Sequence, residues 1–312
     1  MAKKTGRKTA NKRTSAKVTK PKQPKTESVT RPVKLPNVWQ LTKTAWRTIL
    51  GHWRLFLGIT LVYGLLNLIL VQGLATGADV NSLKQDLHKV FSGDSSGVAT
   101  SLSIFIVLVG SAGNGSNQTA GAYQLFLAII TSLAVIWALR QVLAGNYVRI
   151  RDAYYKGMYP LIPFILVTVV IGFQLVPALI GSILYTAVST GNIAVTTLEN
   201  VLWAVPCIAL FVLSLYFISS SMFALYIVTL PDMTPLKALR SARDLVRRRR
   251  WAVLRKLLAL PVILLIVAAI IMVPIILWVT AAAQWIFFAL TMFALVGVHA
   301  YSYTLYRELL ND

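Results

Sequence analysis

Three aspartates are the side chains best suited to catalysis, and they do not form a known catalytic motif. Asp79, Asp86 and Asp94 lie seven or eight residues apart in a stretch rich in Gly and Ser. Acid–base or metal chemistry would need a partner histidine or a second acid at a defined spacing. The chain's three histidines are scattered, and it has no GxSxG, HExxH or Walker-type sequence. We therefore predict that the protein is not an enzyme, with no catalytic residue, no metal site and no cofactor.

Four polar side chains within apolar stretches could form an intramembrane polar cluster. They are Asn67, Gln174, Gln284 and His299. Such side chains usually form hydrogen bonds between neighbouring helices, which is the interpretation we favour, and the alternative is that they line the path of a facilitator. A coupled carrier is disfavoured because no Asp, Glu, Lys or Arg interrupts the apolar stretches, where a charge is retained only when it has a function.

Phosphate binding is the second kind of chemistry that the sequence indicates, and its residues concentrate in residues 234–260. The basic and aromatic members are Arg243, Arg247, Arg248, Arg249, Arg250 and Trp251. Successive residues of a helix turn by about 100°, so four consecutive arginines would encircle it. Only the headgroup layer of a bilayer offers phosphates on every side, and guanidinium groups bind phosphate with two hydrogen bonds. Tryptophan is enriched at the same depth.

The beginning of this segment predicts a helix. Thr234 and Pro235 suit the cap and first position, and Leu239, Ala242 and Val246 recur at steps of three and four residues. The resulting apolar stripe could lie on a bilayer and continue into a transmembrane span.

Two other segments resemble this unit and carry further candidates for headgroup binding. The first contributes Arg47, Trp53 and Arg54, and the second contributes Arg149 and Arg151. The three units precede spans 1, 3 and 5, so we predict an interfacial amphipathic helix before each of these spans.

Composition identifies the elements that would position these residues. With 56% hydrophobic and 13% charged residues, the chain is too apolar for a soluble domain of 312 residues. We predict an all-α polytopic membrane domain at 37–312, with six transmembrane helices at about 55–75, 122–139, 159–185, 201–230, 257–279 and 284–306. Residues 76–120 form an outer loop, in which the apolar stretch 102–109 is too short to span. Residues 257–306 carry no charged side chain and are too long for one crossing, so we expect a reversal near 280–284.

Residues 1–36 differ in composition from the rest of the chain. They hold 12 of its 31 basic residues and one acid, Glu27, with no aromatic side chain. A segment of this kind cannot bury a core, so we predict a disordered Lys-rich cytoplasmic tail that lies near anionic lipid. The alternative is contact with nucleic acid or the ribosome without sequence preference.

Orientation follows from the distribution of positive charge. With the N-terminus inside, all of the 31 Lys and Arg residues except Lys84 and Lys89 lie on the cytoplasmic side. The positive-inside rule therefore places both termini in the cytoplasm, in a cytoplasmic membrane.

The layout resembles a known family. Residues 45–54 (AWRTILGHWR) and 237–246 (KALRSARDLV), the latter followed by Arg250 and Trp251, carry the likeness. They resemble the six-span membrane domain that accompanies some bacterial glycerophosphoryl diester phosphodiesterases, and related uncharacterised bacterial integral membrane families. The resemblance implies a bacterial membrane protein. Members that are enzymes have a separate soluble domain with metal-binding acids, and this sequence contains none, so no catalytic residue is carried over.

We therefore expect a non-enzymatic multi-pass protein that binds anionic phospholipid headgroups through its basic helices. A facilitator or the membrane component of an exporter is the first alternative. A membrane enzyme of lipid metabolism, with a polar cluster in the cytoplasmic connectors or the outer loop, is the weaker one.

Overall fold

The protein is helical throughout the part that the structure describes. A computed structural model describes residues 36–72, 83–85, 87, 102–107, 114, 118–191, 196–247 and 249–310. Of these residues 88% are helical and none lies in a strand, which confirms the all-α class. The main helices are α1 (Val38–Gly51), α2 (Trp53–Leu70), α3 (Gln118–Leu143), α4 (Ile150–Gly157), α5 (Leu161–Thr190), α6 (Thr197–Ser221), α7 (Ala224–Ile227), α8 (Pro235–Val246), α9 (Arg250–Trp278) and α10 (Thr280–Leu310).

Six helical segments of the described residues are long and apolar enough to cross a membrane, as predicted. They are Trp53–Leu70, Gln118–Leu143, Leu161–Thr190, Leu198–Ile227, Arg250–Trp278 and Thr280–Leu310. Their ends differ from the predicted ones by up to seven residues: the fifth helix begins earlier, in basic sequence at Arg250, whereas the first span ends earlier, at Leu70. The last two spans separate at Val279, one residue before the predicted reversal. The predicted tail, apart from its last residue, and most of the outer loop lie outside the described residues.

Short amphipathic helices precede spans 1, 3 and 5, and they pack on protein. These are α1, α4 and α8. The N-cap Thr234 accepts a hydrogen bond from the Lys237 amide at 3.4 Å, so α8 begins where the sequence predicts. Its stripe was expected to lie on a bilayer, but Ala242 and Val246 are fully buried. The small side chains of α8 let it pack closely against α6, α7 and α10, so the buried part of the stripe faces protein, while Leu239 is partly exposed.

The three amphipathic helices contribute residues to one apolar core at the same end of the bundle, which we call the basic end. Arg140 at the end of α3 donates to the Thr229 carbonyl at 2.9 Å, just after α7. Near the start of α9, the Lys256 ammonium donates to the Pro36 carbonyl at 2.6 Å and ties down the chain before α1. The main apolar core lies here, around residues 299–306 of α10, all of which are buried. The basic end is therefore the most extensively packed part of the molecule.

At the opposite end, described parts of the outer loop pack on α9 and α10. Leu83 and Phe105 join the buried apolar cluster that contains Ile276 and Phe287. The rings of Phe105 and Phe287 are 5.9 Å apart between centroids. The helical turn at 102–107 therefore caps the ends of two spans, and it is too short to cross a bilayer.

Helices α5 and α6 form a pair that packs mainly on itself. Pro177 interrupts the hydrogen bonding of α5, and the next amide, of Ala178, donates to the Ser214 hydroxyl of α6 at 3.0 Å. The neighbouring helix thus satisfies a polar group near the proline, as expected for a membrane helix. The outer surface of the pair is apolar and exposed, with Phe173 70% exposed, as suits helices surrounded by lipid.

Candidate functional site

Residues from two of the three basic units line one cavity at the basic end. This first cavity has a volume of about 780 Å³ and is bounded by residues 51–55 and by 142 and 145–150. Trp53 and Arg54 enter it from the start of α2, and Arg149 enters it from the N-cap of α4. The Arg54 guanidinium carbon lies 5.6 Å from the Trp53 ring centroid, a cation–π contact. The structure therefore brings together predicted headgroup-binding residues from two segments that are distant in sequence.

Two further cavities share lining residues with their neighbours. A second cavity of about 230 Å³ is lined by Arg149, Arg151, Asp152, Tyr155 and Lys156. It shares Arg149 with the first cavity. A third space, of about 1110 Å³, shares Tyr155 and Lys156 with the second and extends to α3 and α5. The three form a row of cavities along one side of the basic end.

The lining of this row is suited to binding an anion. Arginine presents several N–H donors in a plane that matches a phosphate, and lysine adds a mobile positive charge. Arg54, Arg149 and Arg151 are all exposed, so they can reach a ligand outside the helices. Trp53, which is 53% exposed, adds a ring of the type found at headgroup depth.

The arginine-rich segment before span 5 has a different geometry from the predicted ring. Helix α8 ends at Val246 and α9 begins at Arg250, and Arg249 between them has a φ of −134°, away from helical values. The chain turns between the two helices, so the arginines do not encircle one helix. Arg248 lies outside the described residues. The segment lines none of the three cavities.

Individual members of that segment have distinct surroundings. The Arg250 guanidinium donates to the Tyr216 hydroxyl and lies 4.9 Å from the centroid of its ring, so α6 holds it in place. Arg243 and Arg247 are exposed, and Trp251 is 71% exposed. Arg47 is exposed on α1 and likewise lines none of the three cavities.

The four residues of the predicted polar cluster do not come together. Gln284 and His299 are 15 residues apart on α10, or about 22 Å along the axis. Gln174 donates to the Ser221 hydroxyl at 2.8 Å, which joins α5 to α6. Asn67 is fully buried in α2, and its amide has no partner among the described atoms. None of the four lines the three cavities.

His299 is part of the packing between spans. Its ring nitrogens lie 3.2 Å from the Tyr226 hydroxyl and 2.8 Å from the Ser132 hydroxyl, so the ring links α7, α10 and α3. Both contacts are buried. The sequence interpretation of His299 as a polar residue that bonds within the bundle agrees with this geometry, although its partners are side chains.

Several residues of the site were not identified from sequence. Arg140 follows the predicted span 2 and Lys156 lies in the connector before span 3, and neither was among the predicted headgroup-binding residues. Tyr154 of α4 was not singled out, yet its hydroxyl donates to the Ile59 carbonyl of α2 at 3.0 Å and fixes α4 beside the first cavity. Burial raises the pKa of Tyr154 to about 12. The sequence signal that could have identified Tyr154 is its position between two basic residues of a short amphipathic segment.

No family model, curated protein or solved structure shows a significant match to the chain. Among the described residues, no group of three His, Cys, Asp or Glu side chains is placed to hold a metal ion. Asp79, Asp86 and Asp94 lie outside the described residues.

Proposed function

We propose that this protein is a non-enzymatic component of a cytoplasmic membrane that binds the headgroups of anionic phospholipids at its basic end. The protein is a multi-pass membrane protein with six apolar helices. The observation that carries the proposal is the first cavity, where Arg54 and Arg149 from separate elements line one space beside Trp53. We also propose, on the resemblance stated above, that it is a bacterial protein related to the phosphodiesterase-associated membrane domains.

The physical case rests on uncompensated charge near an apolar surface. The chain carries a formal net charge of +21, and Lys and Arg collect on the short helices and connectors of the basic end. Each basic side chain near an anionic bilayer surface contributes about 1 kcal/mol of attraction. A cavity that brings two arginines to one phosphate adds directed hydrogen bonds to this general attraction.

Among the described residues no cavity supports the facilitator, and the acids on which the outer-loop form of the enzyme alternative depends lie outside the described residues. A facilitator would need its polar residues along one path, and Asn67, Gln174, Gln284 and His299 are dispersed. A lipid-metabolising enzyme with its polar cluster in the outer loop would depend on the three aspartates there. If that alternative were correct, replacing Asp79, Asp86 and Asp94 with Asn would change membrane lipid composition, whereas we expect no change.

The direct test compares two double variants that remove the same charge. Arg54→Ala/Arg149→Ala alters the first cavity, and Lys237→Ala/Arg240→Ala removes two exposed charges from α8. We expect the cavity variant to lose more than about 2 kcal/mol of the preference for phosphatidylglycerol over phosphatidylcholine in nanodiscs, which is more than about 30-fold, because directed hydrogen bonds are lost together with two charges. The control loses charge alone, so its loss should be about 2 kcal/mol or less. Equal losses would show that binding depends only on overall surface charge.

Orientation is tested with a single cysteine. Cys207 is replaced by Ser, and Asp232→Cys is introduced in the connector between α7 and α8. With the basic end in the cytoplasm, a membrane-impermeant maleimide labels this cysteine only after cell lysis. Labelling of intact cells would reverse the orientation and contradict the proposed contact with the cytoplasmic leaflet.

A further inference from the structure

The third cavity, which we call the lateral cleft, is distinct from the first cavity in its residues and in its surroundings. It has a volume of about 1110 Å³ and lies between α3, α4, the start of α5 and the connector 228–234. Its polar lining includes Arg140, Lys156 and Asp232, and Trp137 adds an aromatic wall. Because α3 and α5 are both membrane spans, the cleft adjoins the lipid-facing surface of the bundle.

Arg140 is held in a fixed position in this cleft. Its guanidinium donates to the Thr229 carbonyl at 2.9 Å, the Thr229 hydroxyl at 2.5 Å and the Tyr226 carbonyl at 3.5 Å. All three acceptors are neutral oxygens, so the positive charge is oriented by the protein without being neutralised. A guanidinium group has five N–H donors, so two remain for a ligand.

Lys156 brings a second positive charge to the same side of the cleft. Its ammonium lies 5.9 Å from the centroid of the Trp137 ring, and Trp137 precedes Arg140 by one turn of α3. Side chains three residues apart share a face of a helix. Asp232 also lines the cleft, but it accepts none of the hydrogen bonds of Arg140. Two cations on one face repel each other unless an anion lies near both of them.

A stripe of exposed apolar side chains lies on α5, which begins beside the cleft. Ile162, Leu166, Val169 and Phe173 follow each other at steps of three and four residues on α5 and are 72%, 50%, 47% and 70% exposed. They form one stripe that begins at the level of the cleft. A ligand with an anionic head and long apolar chains matches both parts of this surface.

We propose that the lateral cleft is a specific site for one anionic glycerophospholipid, whose phosphate is bound by Arg140 and Lys156 and whose acyl chains lie along the exposed stripe of α5. The proposal shares with the proposed function only the premise that the basic end meets a phospholipid leaflet. The lateral cleft depends on residues that do not line the first cavity. It would be one saturable lipid site per chain, in addition to the attraction of anionic headgroups at the first cavity.

The test is a native mass spectrometry titration of the full chain in detergent with dioctanoyl phosphatidylglycerol. We expect one lipid to bind each chain with higher affinity than the rest. Lys156→Gln should weaken this first binding step about fivefold, the effect of removing one basic group near a phosphate. The control Lys43→Gln removes an exposed charge of α1 that lines none of the cavities, and it should change the affinity less than about twofold.

Arg140 needs a separate control because its hydrogen bonds also support the fold. Arg140→Lys keeps the charge but loses the two-pronged geometry, and its thermal melting is measured beside its binding. We expect the lost hydrogen bonds to lower the melting temperature, and lipid binding to be weaker even at a temperature where both proteins are folded. Equal binding by the Lys156→Gln and Lys43→Gln variants would overturn the proposal, and so would competition by inorganic phosphate or glycerol 3-phosphate at the concentration of the lipid.

The two proposals can fail separately. If Arg54→Ala/Arg149→Ala preserves the selectivity for phosphatidylglycerol while Lys156→Gln loses the single site, the first cavity is wrong and the lateral cleft stands. If the Lys156→Gln variant binds as wild type does while the double variant loses selectivity, the lateral cleft is wrong and the first cavity stands.

Discussion

Replacement of Gly157 tests the packing that places α4 beside the cavities. An alanine Cβ at this position would lie 3.1 Å from the Ala134 Cα and from the Leu133 carbonyl oxygen, and 3.3 Å from the Ala134 amide nitrogen. These are backbone atoms of α3, so no side chain can rotate away, and α4 must shift. Overpacking of this kind costs about 1–3 kcal/mol. We expect Gly157→Ala to destabilise the protein by this amount.

Gly172→Ala is the matched control, because Gly172 lies inside α5 and an alanine Cβ there would meet no atom of another helix within 4 Å. Alanine is favoured over glycine in a helix by about 1 kcal/mol, so this variant should be as stable as wild type or more stable. Unfolding is followed by circular dichroism in mixed micelles with increasing denaturing detergent. Equal stability of the two variants would refute the close approach of α4 to α3. A shifted α4 also carries Lys156 with it, so Gly157→Ala should weaken lipid binding in the lateral cleft.

Three further substitutions test single contacts. Tyr154→Phe loses the hydrogen bond to α2 and should cost about 1 kcal/mol at neutral pH. Because burial raises the pKa of Tyr154 to about 12, the advantage of wild type is complete below pH 10 and disappears as the pH rises to 12, which melting curves against pH would show. Ser214→Ala leaves the Ala178 amide unpaired and should cost about 1–3 kcal/mol of stability in the same unfolding assay. Its control is Ser182→Ala, because the Ser182 hydroxyl bonds within its own helix, and this variant should cost under about 0.5 kcal/mol. Thr234→Ala removes the cap of α8 and should cost about 0.5–2 kcal/mol, with Thr234→Ser restoring stability.

Hydropathy predicted the spans because a bilayer imposes a length and a polarity that sequence displays directly. The start of α8 was also predictable, since the hydroxyl of Thr234 and the ring of Pro235 act within one turn. The surroundings of the apolar stripe of α8 could not be predicted from the sequence. A stripe of alanine and valine suits a bilayer and a helical neighbour equally well, and only the tertiary structure shows that α8 packs on α6, α7 and α10 with Ala242 buried.

The cavities were partly predictable for a related reason. Sequence identified Arg54 and Arg149 by their place in repeated basic units, but their meeting in one cavity depends on the packing of α2 against α3 and α4. Lys156 and Arg140 were harder to find, because each looked like an ordinary charge at the end of a span. The Lys156 ammonium lies 5.9 Å from the ring centroid of Trp137, which is one turn from Arg140 on α3, and this proximity of α4 to α3 is a tertiary contact that the sequence does not display.

The same short helices account for the packing of the basic end and carry the charges for which we propose anion binding. Each turns an apolar face toward the core, as Ala45, Ala153 and Ala242 do, and this leaves its basic residues on the outer side. Close packing of the helices therefore also brings like charges close together, at a cost in repulsion. A lipid phosphate between those charges would relieve the repulsion and bind the folded arrangement more strongly than an unfolded chain. By linkage, lipid that binds these cavities stabilises the packing of α2, α3 and α4 that creates them.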